Sequence, residues 1–337
     1  MASATVPAPE NALLPSLDLK ALGRRAALPA AGVVVAAIAI GVGAGPLRTF
    51  ADAVGRVLDA DPGWVVAAAA FELLSFAGYI SLLWLVGGRA SERLGLRASA
   101  EVTLGGAAAT RLLPTGGAGG AAVTLWSFRR AGLTTGEATH ALLTFLVLLY
   151  SVFLASVAVS GGLLALGIVD GGGPLLLSAV PAAVATLAIA AALAIGARRP
   201  RKHRTVALGA GVREAIGLVR SADVRLLGAP AWWAFDAAVL WAMLHALGAP
   251  PSPAVVVLAY FLGQIANTVP VPGAVSGGMV GVLLAFGVEA DLALPAVLAY
   301  RAVAIWLPAP IGLAALAGLR RTIASWGPGW QPTPIST

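Results

Sequence analysis

The chain has 337 residues, of which 59% are hydrophobic and 11% charged, with a mean hydropathy of +0.89 and a net charge of +7. A soluble domain carries about a quarter charged residues, so this chain has too few to solvate a globule and reads as a polytopic membrane protein. It contains no cysteine, and its three histidines (His140, His203, His245) are far apart, which excludes a disulfide framework, a thiolate metal site and any evident metal or cofactor centre.

In chain order, residues 1–27 form a polar tail ending in Lys20, Arg24 and Arg25. Full spans are expected near 28–47, 64–87, 137–167, 174–197, 228–248 and 291–318, each close to the ~20 residues that a bilayer requires. The first lacks a small-residue cleavage site and is read as an uncleaved helix. Residues 99–130 and 253–287 are also apolar, but Pro and Gly break each of them in the middle. Neither half reaches ~20 residues, so each segment is predicted to dip into the membrane and return to the same side. Residues 198–227 open on Arg198-Arg199-Pro200-Arg201-Lys202-His203-Arg204 and are expected to be a solvated cytoplasmic linker. The competing reading is an interfacial helix on anionic headgroups, at ~1 kcal/mol per basic residue. A cytoplasmic tail over 321–337 completes the expectation of one transmembrane domain, 28–320, with halves at about 64–167 and 228–318.

The broken segments share one pattern. In the first, Pro114 is followed by Gly119-Gly120 and Phe128; in the second, Pro272 is followed by Gly277-Gly278 and Phe286, at identical spacings. Thr110 and Thr268 lie four residues before these prolines, and each preceding span carries Phe-acid, Phe71-Glu72 and Phe235-Asp236. A Pro/Gly break repeated in corresponding places of two halves points to a transporter's binding site.

Charge decides the topology. With the N-terminus inside and both broken segments re-entrant, 18 of the 22 Lys and Arg fall on the inner side; Arg48 and Arg56 face outside, and Arg111 and Arg301 lie in membrane segments. Positive residues gather on the cytoplasmic side of membrane proteins, which also explains the net charge without a nucleic-acid partner. The two broken segments then enter from opposite faces, so the two copies are inverted relative to each other. The predicted fold class is an all-α polytopic membrane protein with about six full spans plus two re-entrant helical hairpins arranged as an inverted repeat.

Several residues are candidates for a site. Glycines let the backbone approach a ligand closely, and helix ends at a break offer unpaired N–H groups to an anion. Pro114, Gly119 and Gly120 in one turn and Pro272, Gly277 and Gly278 in the other are therefore candidate headgroup contacts, with close packing of two helices as the alternative. No Lys-Ser/Thr follows either cluster, so neither is a P-loop. Arg111 and Arg301 are ionised groups inside apolar segments, at ~2.5–3.5 kcal/mol each on insertion scales, and are assigned to an anionic ligand. Gln264 and Asn267 join them as polar groups before the second break. Glu72 and Asp236 are candidates for ion coupling, or for ion pairs such as Glu72 with Arg111. His140 and His245 read as packed or interfacial groups, and the tryptophans, mostly towards span ends, as an aromatic belt.

These residues carry a resemblance. Leu113-Pro114 to Gly120 with Arg129-Arg130-Ala131-Gly132, Ala266-Asn267-Thr268-Val269-Pro270-Val271-Pro272-Gly273, and Ala299-Tyr300-Arg301-Ala302 to Trp306-Leu307-Pro308 and Gly312 are similar to the transmembrane domain of lysylphosphatidylglycerol synthases. That flippase-like family also has stand-alone members. The resemblance implies a membrane protein that moves an aminoacylated or otherwise modified phospholipid, or a lipid-linked substrate, between leaflets. It carries a substrate role onto Arg301 and the Pro/Gly turns. Where relatives often place an acid after the second glycine turn, this chain has Ser276 and Met279-Val280-Gly281.

The expected function is a lipid translocase, flippase or scramblase, for an anionic, aminoacylated or lipid-linked headgroup, in the cell membrane with both termini cytoplasmic. The competing reading is a non-transporting accessory subunit of an envelope-lipid synthase or glycosyltransferase. An enzyme would need a nucleophile with a base in reach, and no His–acid, Ser–Lys or metal-ligand cluster occurs at helical spacing, so no catalytic activity is expected.

Overall fold

The computed structural model describes Asp52 and residues 54–112, 118–197, 203–268 and 273–327; the span expected at 28–47 lies outside them. No strand occurs among the described residues. The helices are α1 (Pro62–Ala90), α2 (Leu96–Leu112), α3 (Ala118–Arg130), α4 (Thr135–Ala165), α5 (Leu175–Ala197), α6 (His203–Arg220), α7 (Gly228–Leu247), α8 (Pro253–Ile265), α9 (Ala274–Ala285), α10 (Ala290–Trp306) and α11 (Pro308–Ser325). Five stretches are long and apolar enough to cross a bilayer: Pro62–Ala90, Thr135–Ala165, Leu175–Ala197, Val224–Leu247 and Ala290–Ser325.

Local sequence explains where the helices start and stop. Asp61 accepts a hydrogen bond from the Gly63 N–H and Pro62 supplies a pre-set φ, so α1 begins there. Thr134 and Glu137 bond each other's backbone N–H reciprocally at the start of α4, satisfying two of its orphan donors. The expected last span, 291–318, falls within the apolar stretch Ala290–Ser325, but its helix is not continuous. It is interrupted at Leu307, because Pro308 has no N–H to continue the ladder and its ring crowds the preceding turn.

Among the described helices, α1 and α7 share the most extensive contact, and they run antiparallel. The Asp61 N–H donates to the Ala246 carbonyl at 3.1 Å, Trp64 meets Trp241 edge-on at 5.3 Å, and Phe71 stacks on Phe235 at 6.0 Å. At the other end Gly78 and Gly228 bring the backbones into contact: a Cβ on Gly78 would lie 2.8 Å from the Gly228 carbonyl oxygen and from the Trp232 nitrogen. Close approach between small residues lets dispersion and interhelical hydrogen bonds hold helices together where hydrocarbon replaces water. The Ser75 hydroxyl supplies such a bond, donating to the Trp232 carbonyl at 2.9 Å.

The short helices form two helical hairpins. In α2–α3, Gly106 faces Gly120, and in α8–α9, Gly263 faces Gly278, with a built Cβ 3.3 Å and 3.2 Å from the opposing Cα. Each hairpin leans on a helix distant in sequence: α2 on α11, where Gly312 meets Leu104 and Ala108, and α8 on α4, where Phe261 meets Phe153 at 4.8 Å.

Two further expectations are corrected. Within 198–227, residues 203–220 are no solvated linker but helix α6, with Val212, Ala215 and Leu218 buried against α4 and α5. The Arg213 guanidinium donates to the Gly196 carbonyl at 3.2 Å, capping the last turn of α5. Trp233 is no belt residue either: it is 8% exposed, and its indole N–H donates to the Leu149 carbonyl at 2.7 Å. A buried indole requires such an acceptor, and α4 provides it.

At the end of α6, Asp223 accepts from the Arg225 side chain at 2.7 Å and from its backbone N–H at 3.0 Å, with Arg89 at 4.0 Å. The side-chain bond to Arg225, then the backbone bond, lower its carboxyl from the ordinary 3.8 to about 2. Since the folded value lies below the unfolded one, this contribution is complete above 3.8 and is lost as the pH falls through about 2. Acid titration of the melting temperature should show that component in the native chain and lose it in Asp223→Asn. Separately, Gly78→Ala should destabilise the purified protein by ~1–3 kcal/mol through overpacking. Gly281→Ala, with open space around it, should not lower the melting temperature.

Candidate functional site

A buried polar cluster is built from three helices, α7, α8 and α10. Asp236 in α7 is 2% exposed, an acid in an apolar span with almost no water. Its Oδ2 accepts from the Tyr260 hydroxyl of α8 at 2.5 Å, and its Oδ1 accepts from the Tyr300 hydroxyl of α10 at 3.3 Å. The Gln264 amide, one turn beyond Tyr260, donates to the Tyr300 oxygen at 3.3 Å. Both tyrosines are buried. Two hydroxyls satisfy both carboxyl oxygens, and the amide occupies an acceptor position of one hydroxyl. The network thus ties the second hairpin to the helices before and after it.

Asp236 and Gln264, two of the expected site residues, therefore meet through Tyr300. The next residue along α10, Arg301, is partly buried and forms no salt bridge among the described residues. An arginine in an apolar span without an acidic partner is costly unless it faces a wet or ligand-filled space. Asn267 is exposed in the turn that follows α8. Glu72 is 1% exposed on α1, beside the Phe71–Phe235 stack.

The glycines divide into two kinds. Gly120 and Gly278 are used for packing, each facing the glycine of its partner helix, and the Gly120 N–H is satisfied by the Thr110 hydroxyl at 2.7 Å. Gly277 is exposed, with open space where a Cβ would stand. Gly119 lies in the first turn of α3. Gly273 opens α9 at φ +82, a left-handed conformation that favours glycine. Pro114 and Pro272 lie outside the described residues, as does the side chain of Arg111, so its expected pairing with Glu72 falls outside them too.

The tyrosines were missed in the sequence. The available signal was Asp236 itself: a carboxylate buried in an apolar span requires donors, and the chain has only four tyrosines. Nothing in the spacing, however, shows which of them fold towards it.

The two ends of the helices differ. At one, the α1–α2 turn is joined to the α3–α4 turn by the Ser91 hydroxyl donating to the Ala131 carbonyl at 3.1 Å, and Arg225 lies over the Trp84 ring at 4.8 Å. At the other, the corresponding α7–α8 and α9–α10 turns border an open cleft of about 440 Å³. Arg56 and Asp291 form an ion pair at its edge, 3.1 Å apart.

Long apolar helices, broken helical hairpins and a polar cluster within the helical layer define an integral, multi-pass membrane protein. Residues 24–312 match the family described as the lysylphosphatidylglycerol synthase TM region, and the chain belongs to that family. No curated relative matches it.

Removing one donor from Asp236 tests the network. Tyr260→Phe should destabilise the protein by ~1–3 kcal/mol, the usual cost of leaving a buried polar group short of a partner. Tyr300→Phe, which removes both the 3.3 Å bond to Asp236 and the acceptor of the Gln264 amide, should also destabilise it. Thermal melts of the two variants in one detergent check both losses.

Proposed function

We propose that the chain is a lipid translocase, not an enzyme, that passes an anionic phospholipid or lipid-linked headgroup between the leaflets of the cell membrane. The observation that carries the reading is Arg301, a cation in an apolar span with no acidic partner among the described residues. A headgroup phosphate supplies the missing charge, and its tight bonding to guanidinium is the usual use of arginine at such sites. Gln264, bonded to the adjacent Tyr300, and the exposed Asn267 and Gly277 are the polar and open positions on the second hairpin. Arg111, Pro114 and Gly119 are their counterparts on the first.

In this reading the two halves form an inverted repeat, and α2–α3 and α8–α9 are re-entrant hairpins entering from opposite faces, with both termini cytoplasmic. The antiparallel contact of α1 with α7 supports it, as does the reciprocal bracing of each hairpin by the other half. Rocking of the halves would expose the headgroup to each side in turn. The difference between the bridged turns at one end and the open cleft at the other is consistent with one state of that cycle.

The test is reconstitution of the purified chain in vesicles containing a headgroup-labelled anionic phospholipid, with a membrane-impermeant quencher reading leaflet distribution. Arg301→Ala should slow translocation by about 10–100-fold, the equivalent of one charge-assisted hydrogen bond, with an unchanged melting temperature. Arg301→Lys should fall between the two. Equal rates for the native chain, Arg301→Ala and protein-free vesicles, across anionic and lipid-linked headgroups, would overturn the proposal.

A further inference from the structure

The contacts of α6 fix its depth. Its middle turns sit on the end of α5: a Cβ on Gly196 would lie 2.6 Å from the Val212 side chain, and one on Gly209 would lie 3.1 Å from the Ile195 carbonyl oxygen. Gly211 comes against α4, where a Cβ would lie 3.3 Å from that of Leu143. Had the chain doubled back along α5, residues 209–212 would lie roughly 9–14 Å from that end, at ~1.5 Å per residue. Instead α6 crosses it. Helix α5 has 23 residues and is apolar enough to span a bilayer. Its length of about 35 Å exceeds the ~30 Å hydrocarbon core by one turn. The end of such a helix lies where acyl chains give way to headgroups, and so does a helix laid across it.

We propose that α6 is an interfacial helix that binds anionic headgroups of the adjoining leaflet, one phosphate at Arg213 and another at Arg220. Val212, Ala215 and Leu218 are buried against α4 and α5, and the opposite face carries Val206, Arg213, Gly217 and Arg220, all exposed. The two arginines are two turns apart, so they stand about 10 Å from each other on one face. Arg213 spends one donor on the Gly196 carbonyl, and its other donors remain for an acceptor such as phosphate. Glu214, the one acid in α6, is turned about 100° away from Arg213. Asp223, just beyond the helix, is already held by Arg225 and Arg89. The sequence joining α5 to α6 adds Arg198, Arg199, Arg201 and Lys202 and no acid. Val219, Val224 and Leu227, exposed around the end of α6, bring apolar side chains to the zone where acyl chains end. A soluble acidic partner would need this face in water, which the depth of α6 opposes. The inference requires only that the chain is embedded in a membrane and is independent of translocation.

The chain has no cysteine, so single nitroxide labels on the full chain report depth. Gly217→Cys stands on the outer face of α6 with open space around it. Val184→Cys, on the exposed face of α5 and about 18 Å from its end, marks hydrocarbon. Gly136→Cys, in the first turn of α4 and about 10 Å before Leu143, marks water. In vesicles containing phosphatidylglycerol, collisions with oxygen and with a water-soluble nickel chelate should place the Gly217 label between the other two. A Gly217 label as open to nickel as the Gly136 label would sink the proposal. Native mass spectrometry reads the headgroups. Arg213→Gln/Arg220→Gln should retain phosphatidylglycerol about 10–30-fold more weakly than the native chain, with phosphatidylcholine unaffected. Arg320→Gln/Arg321→Gln removes the same charge from α11 and should have a smaller effect. Equal losses in the two double variants would reduce the site to unspecific charge and overturn it. If the α6 double variant does not fold, Arg220→Gln alone, away from the cap on α5, decides: undiminished retention of phosphatidylglycerol would overturn the site.

Discussion

The contact between the backbones of α1 and α7 is the constraint on which the rest of the structure depends. Hydrocarbon gives apolar helices no reason to leave lipid for one another, so association rests on close packing and on polar groups that find partners across the interface. Gly78 and Gly228 permit the first, and Ser75 with the Trp232 carbonyl provides the second. Once these meet, the register of the whole pair follows: Phe71 comes opposite Phe235 and Trp64 opposite Trp241. Glu72 and Asp236, each next to one of the stacked phenylalanines, are thereby carried into the buried middle of the helical layer.

The broken segments face a different demand. Backbone that leaves the helical ladder at membrane depth must find partners in protein or line a wet cavity. Both pairs close through glycine, which lets two short helices touch, and the Thr110 hydroxyl takes up the Gly120 N–H near the first break. Each hairpin is braced by a helix distant in sequence, α2 by α11 and α8 by α4, so neither completes its packing with its sequence neighbours alone. In a translocase this dependence would couple movement of one half to the hairpin of the other.

Reading the sequence and reading the structure succeed on different features. The four uninterrupted long helices were legible because an apolar stretch of bilayer length has few soluble alternatives, and the breaks were legible because Pro and Gly act locally. The same local rule was overlooked at Pro308, where a hydropathic pattern runs straight through an interruption of the helix. Residues 203–220 were read from their charges as a linker, yet small residues at Gly196 and Gly211 let that helix pack tightly on α5 and α4. The glycine pairs carried both meanings at once. Only the fold separates Gly120 and Gly278, which close the hairpins, from Gly277, which is open.

Composition and spacing alone determined that this chain lives in a membrane, that its helices are interrupted at two matching places, and that Arg301 and Asp236 are expensive groups in apolar surroundings. Those conclusions follow from transfer free energies and backbone geometry, which act residue by residue. The partners of the expensive groups were decided by tertiary structure: Tyr260 and Tyr300 reach Asp236 from helices 24 and 64 residues away. Hydrogen bonding between distant helices depends on register and rotation, which a single sequence does not encode locally, and so the polar core became visible only once the helices were packed.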